Sequence, residues 1–214
     1  MASPDLGTLV AVAIVLLVGF PIHEAAHAFV AYWLGDDTAQ RQGRLTLNPL
    51  KHLDLWGSVM LLVSASFGFG IGWAKPVPVS PWRLRYGPQR GGALVAGAGP
   101  LSNLAMATLA SLLWRSGLLS SAPHWVLSVI YTFVAINVTL FLFNLIPLAP
   151  LDGNSVLNGI VPREVAGWLA PLRTYGPLIL TGLLLIGFAV PGVNILGRIL
   201  GPAMQALIQL LLGG

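Results

Sequence analysis

The chain has 214 residues, 56% of them hydrophobic and 8% charged, with a net charge of +4 and no cysteine. Soluble domains carry about 25% charged residues and disordered chains are poor in apolar ones, so both classes are excluded. Apolar residues run along the whole length, which leaves a polytopic membrane protein and not one with a single tail anchor. The missing cysteines remove disulfides, thiolate metal sites and cysteine nucleophiles. The basic balance bears on membrane orientation and the lipid bilayer's headgroups, and no nucleic-acid partner is expected.

In chain order, residues 6–34 form a first apolar segment long enough to span. It starts without a basic stretch, and a His-Glu pair follows its apolar run, so a cleaved signal peptide is not expected. Residues 36–55 are polar, with Arg41, Arg44, Lys51 and three aspartates; Arg44 to Asn48 alternates like a short strand and meets Pro49. Residues 56–73 are apolar but end in Phe67-Gly-Phe-Gly-Ile-Gly72, a poor helix interior. Residues 75–90 hold Lys75, Arg83, Arg85 and Arg90 with no acid, and Pro76, Pro78 and Pro81 impose extended backbone.

Residues 91–114 read as a span. Residues 125–148 read as another, continuing to Pro147-Leu-Ala-Pro150-Leu-Asp152-Gly153 and so making a 125–153 unit. Residues 155–175 read as an interfacial helical stretch carrying Arg163, Glu164 and Arg173. The apolar pair 177–190 and 194–212 closes the chain, broken at Pro191-Gly192. The expectation is a single membrane-embedded domain over 1–214. It is an all-α bundle of about five to six membrane segments, with a small strand or re-entrant element within the 36–90 region.

Seven acids are present, and most fall in loops. Glu24 and Asp152 do not. His23-Glu24-Ala-Ala-His27 lies in the C-terminal half of the first span. Histidines at i and i+4 share a helical face. Such a pair can bind one Zn2+ ion, and the glutamate between them can act as general base toward a water activated there. Three ionisable groups within a turn cost several kcal/mol in hydrocarbon unless they have a task. A tetrahedral site needs a third protein ligand. His52 and His124 sit in loops where solvation is the rule, and Glu164 belongs to an amphipathic stretch. Asp152, at the end of a span, is the expected third ligand.

His23-Glu24-x-x-His27, then Gly99-Pro100-Leu-Ser-Asn103, then Asn144-Leu-Ile-Pro147-Leu-Ala-Pro150-Leu-Asp152-Gly153 together resemble the site-2 protease family of intramembrane zinc metalloproteases. Gly72-Trp-Ala-Lys-Pro-Val-Pro-Val79 is similar to a segment of the compact prokaryotic branch, which has no appended soluble domain. The resemblance implies that His23, His27 and Asp152 bind zinc, that Glu24 activates water, and that Asn144 helps hold the substrate or the oxyanion. It also implies a prokaryotic cell-membrane location and a membrane-spanning protein substrate. One departure is that Asn154 and Ser155 follow the Asp-Gly pair, where the family has small residues and then arginine.

Charge placement tests this arrangement. If loop 36–55 is cytoplasmic by the positive-inside tendency, the N-terminus lies outside. For Asp152 to meet the histidines, residues 125–148 must end inside, near the cytoplasmic face. Residues 56–73 must then enter and return without crossing, and nine of the eleven Lys/Arg fall inside, all but Arg115 and Arg198. A spanning substrate must unwind locally before attack. Arg44, Leu45 and Thr46, with Lys75, Pro76 and Val77, are candidates for an edge that holds it extended. Asn103 is expected to make an interhelical hydrogen bond. A transporter or channel would show charge pairs on several helices or inverted repeats, and neither is evident. A non-catalytic zinc-binding membrane protein would have no need of Glu24. Neither the oligomeric state nor the physiological substrate is encoded legibly.

Overall fold

The computed structural model describes residues 6–66, 74–190 and 193–213. Helix α1 (Leu6–Trp33) is one rod in which a π-helical stretch, Val15–Gly19, interrupts the register. The Phe20 N–H reaches back to the Val15 carbonyl, and Pro21 after it has no N–H to give. This register change re-aims the following turn, which carries His23, Glu24 and His27. After α1 come α2 (Thr38–Arg41), α3 (Pro49–His52) and α4 (Leu55–Ser66). Then follow α5 (Gly87–Arg115) and α6 (His124–Asn144). The chain ends with α7 (Asp152–Ile160), α8 (Arg163–Trp168), α9 (Ala170–Thr174), α10 (Gly176–Ala189) and α11 (Ile195–Leu212).

Helices α1, α5, α6 and α11 are long and apolar enough to cross a membrane, and α10 is a shorter apolar helix. Helix α5 is the hub, packing on α1, α6 and α7, while α11 lies along α6. Val12, Val15, Leu16 and Phe20 of α1 are buried against Phe133, Ile136 and Leu140 of α6. Ala107 of α5 and Val134 and Val138 of α6 are buried beneath Met204, Leu207 and Leu211 of α11. Leu9, Leu17, Leu101, Leu109 and Leu112 point outward and are exposed. A soluble monomer does not display apolar surface on this scale, whereas a lipid-facing bundle requires it. The protein is an all-α membrane protein.

The strand expected over Arg44–Asn48 is absent, and among the described residues there is no strand. The Asn48 N–H bonds the Thr46 hydroxyl, and the Asn48 carboxamide oxygen caps α3 at the Leu50 N–H. These local side-chain bonds compete with sheet pairing. What survives of a strand element is one antiparallel bridge, Leu53 with Ala74, beside a bond from the Lys75 N–H to the His52 carbonyl. Helix α4 has 12 residues, about 18 Å at 1.5 Å per residue, against the roughly 30 Å of a bilayer's hydrocarbon. The segment that leaves at Leu53 is back beside it at Ala74. The Phe67–Gly72 glycine run lies outside the described residues.

The predicted 125–148 span ends at Asn144, because Pro147 and Pro150 disfavour helix in the residues before them. Asp152 therefore opens α7 and does not close a span. The single stretch expected over 155–175 is divided among α7, α8 and α9, with Pro162 and Pro171 at the starts of the last two.

Candidate metal centre

Two histidines one turn apart on α1 meet the first residue of α7. His23 Nε2 and His27 Nε2 lie 3.2 Å apart, and each is 3.4 Å from Asp152 Oδ2. The rings stand edge to face, at 85°. Their other nitrogens are committed. His23 Nδ1–H donates to Asn103 Oδ1 at 2.6 Å, and His27 Nδ1–H donates to the Val95 carbonyl at 2.7 Å. Both acceptors are oxygens, so in the neutral rings the protons sit on Nδ1 and the Nε2 lone pairs are free. Two nitrogen lone pairs and a carboxylate thus converge with no hydrogen to share among them.

That arrangement calls for a cation, and its dimensions suit one. Tetrahedral ligands at the 2.0–2.1 Å bond lengths of zinc stand about 3.3–3.4 Å from one another. Oriented Nδ1–H donors of this kind accompany metal-binding histidines generally. His23, His27 and Asp152 are the one group of three His, Asp or Glu residues among those described whose ligand atoms converge in this way.

The surrounding chain is shaped to the cluster. A Cβ at Gly99 would lie 2.6 Å from His23 Cε1 and closer still to His27 Nε2, so only glycine lets α5 come this near. Pro100 leaves the Ala96 carbonyl without its helical partner at the same level. Asn103, one turn after Gly99 on the same face, is fully buried and reaches His23. A Cβ at Gly153 would strike the Leu145 backbone, so the glycine after Asp152 lets α7 tuck under the end of α6. Glu24 is half-buried, and its carboxylate acts electrostatically on the rings of both His27 and His52.

The sequence-predicted residues divide between this centre and its surroundings. His23, His27 and Asp152 come together. Asn103 makes the expected interhelical bond, its Nδ2 donating to Asn137 Oδ1 at 3.0 Å, and also holds His23. The Asn144 amide donates to the Leu140 carbonyl of its own helix, and among the described residues it makes no hydrogen bond to His23, His27 or Asp152. Arg44 is buried, and its guanidinium donates to the Lys75 and Pro76 carbonyls at 2.5 and 3.4 Å. Leu45, Thr46 and Val77 are half-buried, and Lys75 and Pro76 are exposed.

His52 is fully buried and not solvated. Its Nε2–H donates to the Thr46 carbonyl, and its Nδ1 is buried with no partner among the described residues. Burial pushes its pKa below the ordinary value, and the Arg44 charge adds to this against the opposing pull of the Thr46 carbonyl and Glu24. Sequence reasoning overlooked Asn137, although an amide inside an apolar span is itself a signal. A groove of about 1320 Å³ lies between the start of α5 and α7, lined by Trp82, Arg90, Asn154, Ser155 and Arg173 among others and by none of His23, Glu24, His27 and Asp152.

Comparison with known proteins agrees with this chemistry. YwhC of Bacillus subtilis (strain 168), named provisionally as a zinc metalloprotease, is 38% identical over 204 residues, covering 92% of this chain and 89% of its own. Rip2 of Mycolicibacterium smegmatis, named in the same way, is 32% identical over 174 residues, covering 79% of this chain and 64% of its own. Rip2 of Mycobacterium tuberculosis (strain H37Rv) is 34% identical over 181 residues, covering 83% and 66%. No family model matches the chain, and no solved structure matches it.

Proposed function

The chain belongs to the zinc metalloprotease family of YwhC and Rip2, and from that membership we propose that it is an intramembrane endopeptidase of the site-2 protease type, in the compact prokaryotic branch. Its substrates are membrane-anchored proteins cut within locally unwound spanning segments, in regulated intramembrane proteolysis. The observation that carries this reading is the convergence of His23 Nε2, His27 Nε2 and Asp152 Oδ2 where α1 meets the start of α7, with the Glu24 carboxylate next to His23 in the chain.

His23, His27 and Asp152 would hold a zinc ion, which would supply Lewis acidity and bring the pKa of water toward neutrality. The chain's own groups supply the rest. The Glu24 carboxylate takes a proton from the attacking water as its oxygen bonds to the scissile carbonyl carbon. It then delivers that proton to the departing amine nitrogen as the C–N bond breaks. Asn144, turned away from its bond to Leu140, donates to the oxyanion.

The substrate lies extended along residues 75–79. Pro76 and Pro78 have no N–H, Lys75 spends its own on His52, and Arg44 occupies the Lys75 and Pro76 carbonyls. Val77 and Val79, two apart and so facing one way, keep N–H groups with no partner among the described residues. The centre lies nearer the cytoplasmic face of a prokaryotic cell membrane, and the chain that leaves at Leu53 comes back on the same face at Ala74. This is supported by the basic residues of 36–55 and 75–90 and by the meeting of Leu53 with Ala74. The test is incubation of the purified protein with a membrane-spanning peptide, with and without a zinc chelator. Cleavage that the chelator stops supports the reading, and a zinc-loaded protein that cuts no such peptide overturns it.

A further inference from the structure

Behind His23 a line of side chains runs through the bundle to a backbone carbonyl. Asn137, on α6, is fully buried between Val134 and Val138, which are fully buried as well. Its Nδ2 donates to the Phe133 carbonyl at 2.9 Å. That carbonyl can only accept, so the Asn137 amide has one permitted orientation, with Oδ1 turned toward α5. Oδ1 accepts from Asn103 Nδ2 at 3.0 Å. The Asn103 amide is thereby fixed with its own Oδ1 toward α1, where it accepts from His23 Nδ1–H at 2.6 Å.

We propose that Asn137 is a positioning residue for the metal centre, setting the tautomer of His23 through Asn103. The inference rests on the metal-centre reading above. Each link dictates the polarity of the next. A carbonyl that cannot donate fixes Asn137, Asn137 fixes which end of Asn103 faces His23, and that end holds the imidazole proton on Nδ1. The Nε2 lone pair is left for the metal. Without Asn137 the Asn103 amide is free to turn, and its Nδ2 then faces His23 Nδ1. Two donors cannot face each other, so the imidazole proton moves to Nε2 and fills the lone pair the metal needs. The relay lies among apolar side chains, where a mismatched pair of amides finds no water to correct it. His27 needs no such device, because its Nδ1–H partner is a backbone carbonyl.

The test reads zinc affinity by chelator competition in the purified protein, together with the absorption of the cobalt-substituted site. Asn137→Val should weaken zinc binding by about tenfold or more, the range for loss of an oriented outer-shell partner, and change the cobalt spectrum. In an Asn103→Asp background the carboxylate accepts from His23 Nδ1–H whichever way it turns, so adding Asn137→Val should leave zinc affinity unchanged. Asn137→Asp, which keeps the acceptor for Asn103 Nδ2, should bind more tightly than Asn137→Val. Wild-type affinity in folded Asn137→Val overturns the proposal, as does an equal loss in both backgrounds. If Asn137→Val does not fold, Asn137→Asp decides, since loss of zinc in that folded protein has the same force. A wild-type protein that binds no zinc would instead overturn the metal-centre reading itself.

Discussion

Gly99 of α5 faces the imidazoles of His23 and His27 with no room for a β-carbon, which would stand 2.6 Å from His23 Cε1. The glycine therefore marks how closely α5 must approach α1 for Asn103 and Val95 to hold the two rings. Gly99→Ala should strip the protein of zinc and of cleavage together, read by metal analysis and peptide assay. Gly97→Ala, whose new carbon would meet only Val156 at 3.9 Å, should leave both intact and serves as the control.

Removing the base and removing a ligand should be separable. Glu24→Gln should lower cleavage by about 10²–10⁴-fold, the usual contribution of a general base, with zinc content unchanged. Asp152→Ala and His23→Ala should lower the zinc content itself. Retained turnover in Glu24→Gln would end its assignment as the base.

In the proposed function the substrate edge at 75–79 depends on Arg44, whose guanidinium anchors the Lys75 and Pro76 carbonyls. Arg44→Gln should slow cleavage on the order of tenfold to a hundredfold, as expected when a substrate is misplaced at the reacting centre. Zinc content should not change. A loss of zinc in this variant would show that the loop supports the metal and not the peptide.

His52 predicts a pH dependence. Its pKa in the folded protein lies below the ordinary value, so the unfolded chain binds the proton more readily. Stability contributed by the neutral ring is then present at neutral pH and is lost as pH falls below about 6.5, the unfolded value. The protonated ring would also carry a buried Nδ1–H with no acceptor. His52→Gln, which keeps a donor for the Thr46 carbonyl, should show a shallower fall in melting temperature between neutral pH and pH 5.5 than the wild type. Identical profiles would remove His52 as the cause.

The chain has no native cysteine, so single introduced thiols report topology cleanly. Arg41→Cys and Lys75→Cys should label from the same side of sealed vesicles, because Leu53 and Ala74 pair and bring the two loops together. Labelling from opposite sides would make residues 56–73 a crossing segment.

The sequence alone singled out the residues that the fold brings to the candidate centre. In a chain this poor in charge, an ionisable group inside a span is costly unless it has a task, so His23, Glu24, His27 and Asp152 stood out. Helical periodicity by itself puts the two histidines on one face. The same reasoning found the long helices α1, α5, α6 and α11, since their apolar runs come close to or exceed the roughly 30 Å of a bilayer's hydrocarbon. It misread Arg44–Asn48, because strand alternation over five residues is a weaker signal than the Thr46 and Asn48 side-chain bonds that make turns there.

Tertiary structure decided what depends on distance between remote segments. The burial of His52 follows from the return of Ala74 and Lys75 beside it. The close approach that requires Gly99 arises where α5 meets α1. The polarity of the Asn137–Asn103–His23 line is set by the Phe133 carbonyl, on a different helix from either Asn103 or His23. Composition and spacing identify which side chains can bind a metal. The direction of a hydrogen bond depends on which atom it meets, and only the packed bundle supplies that.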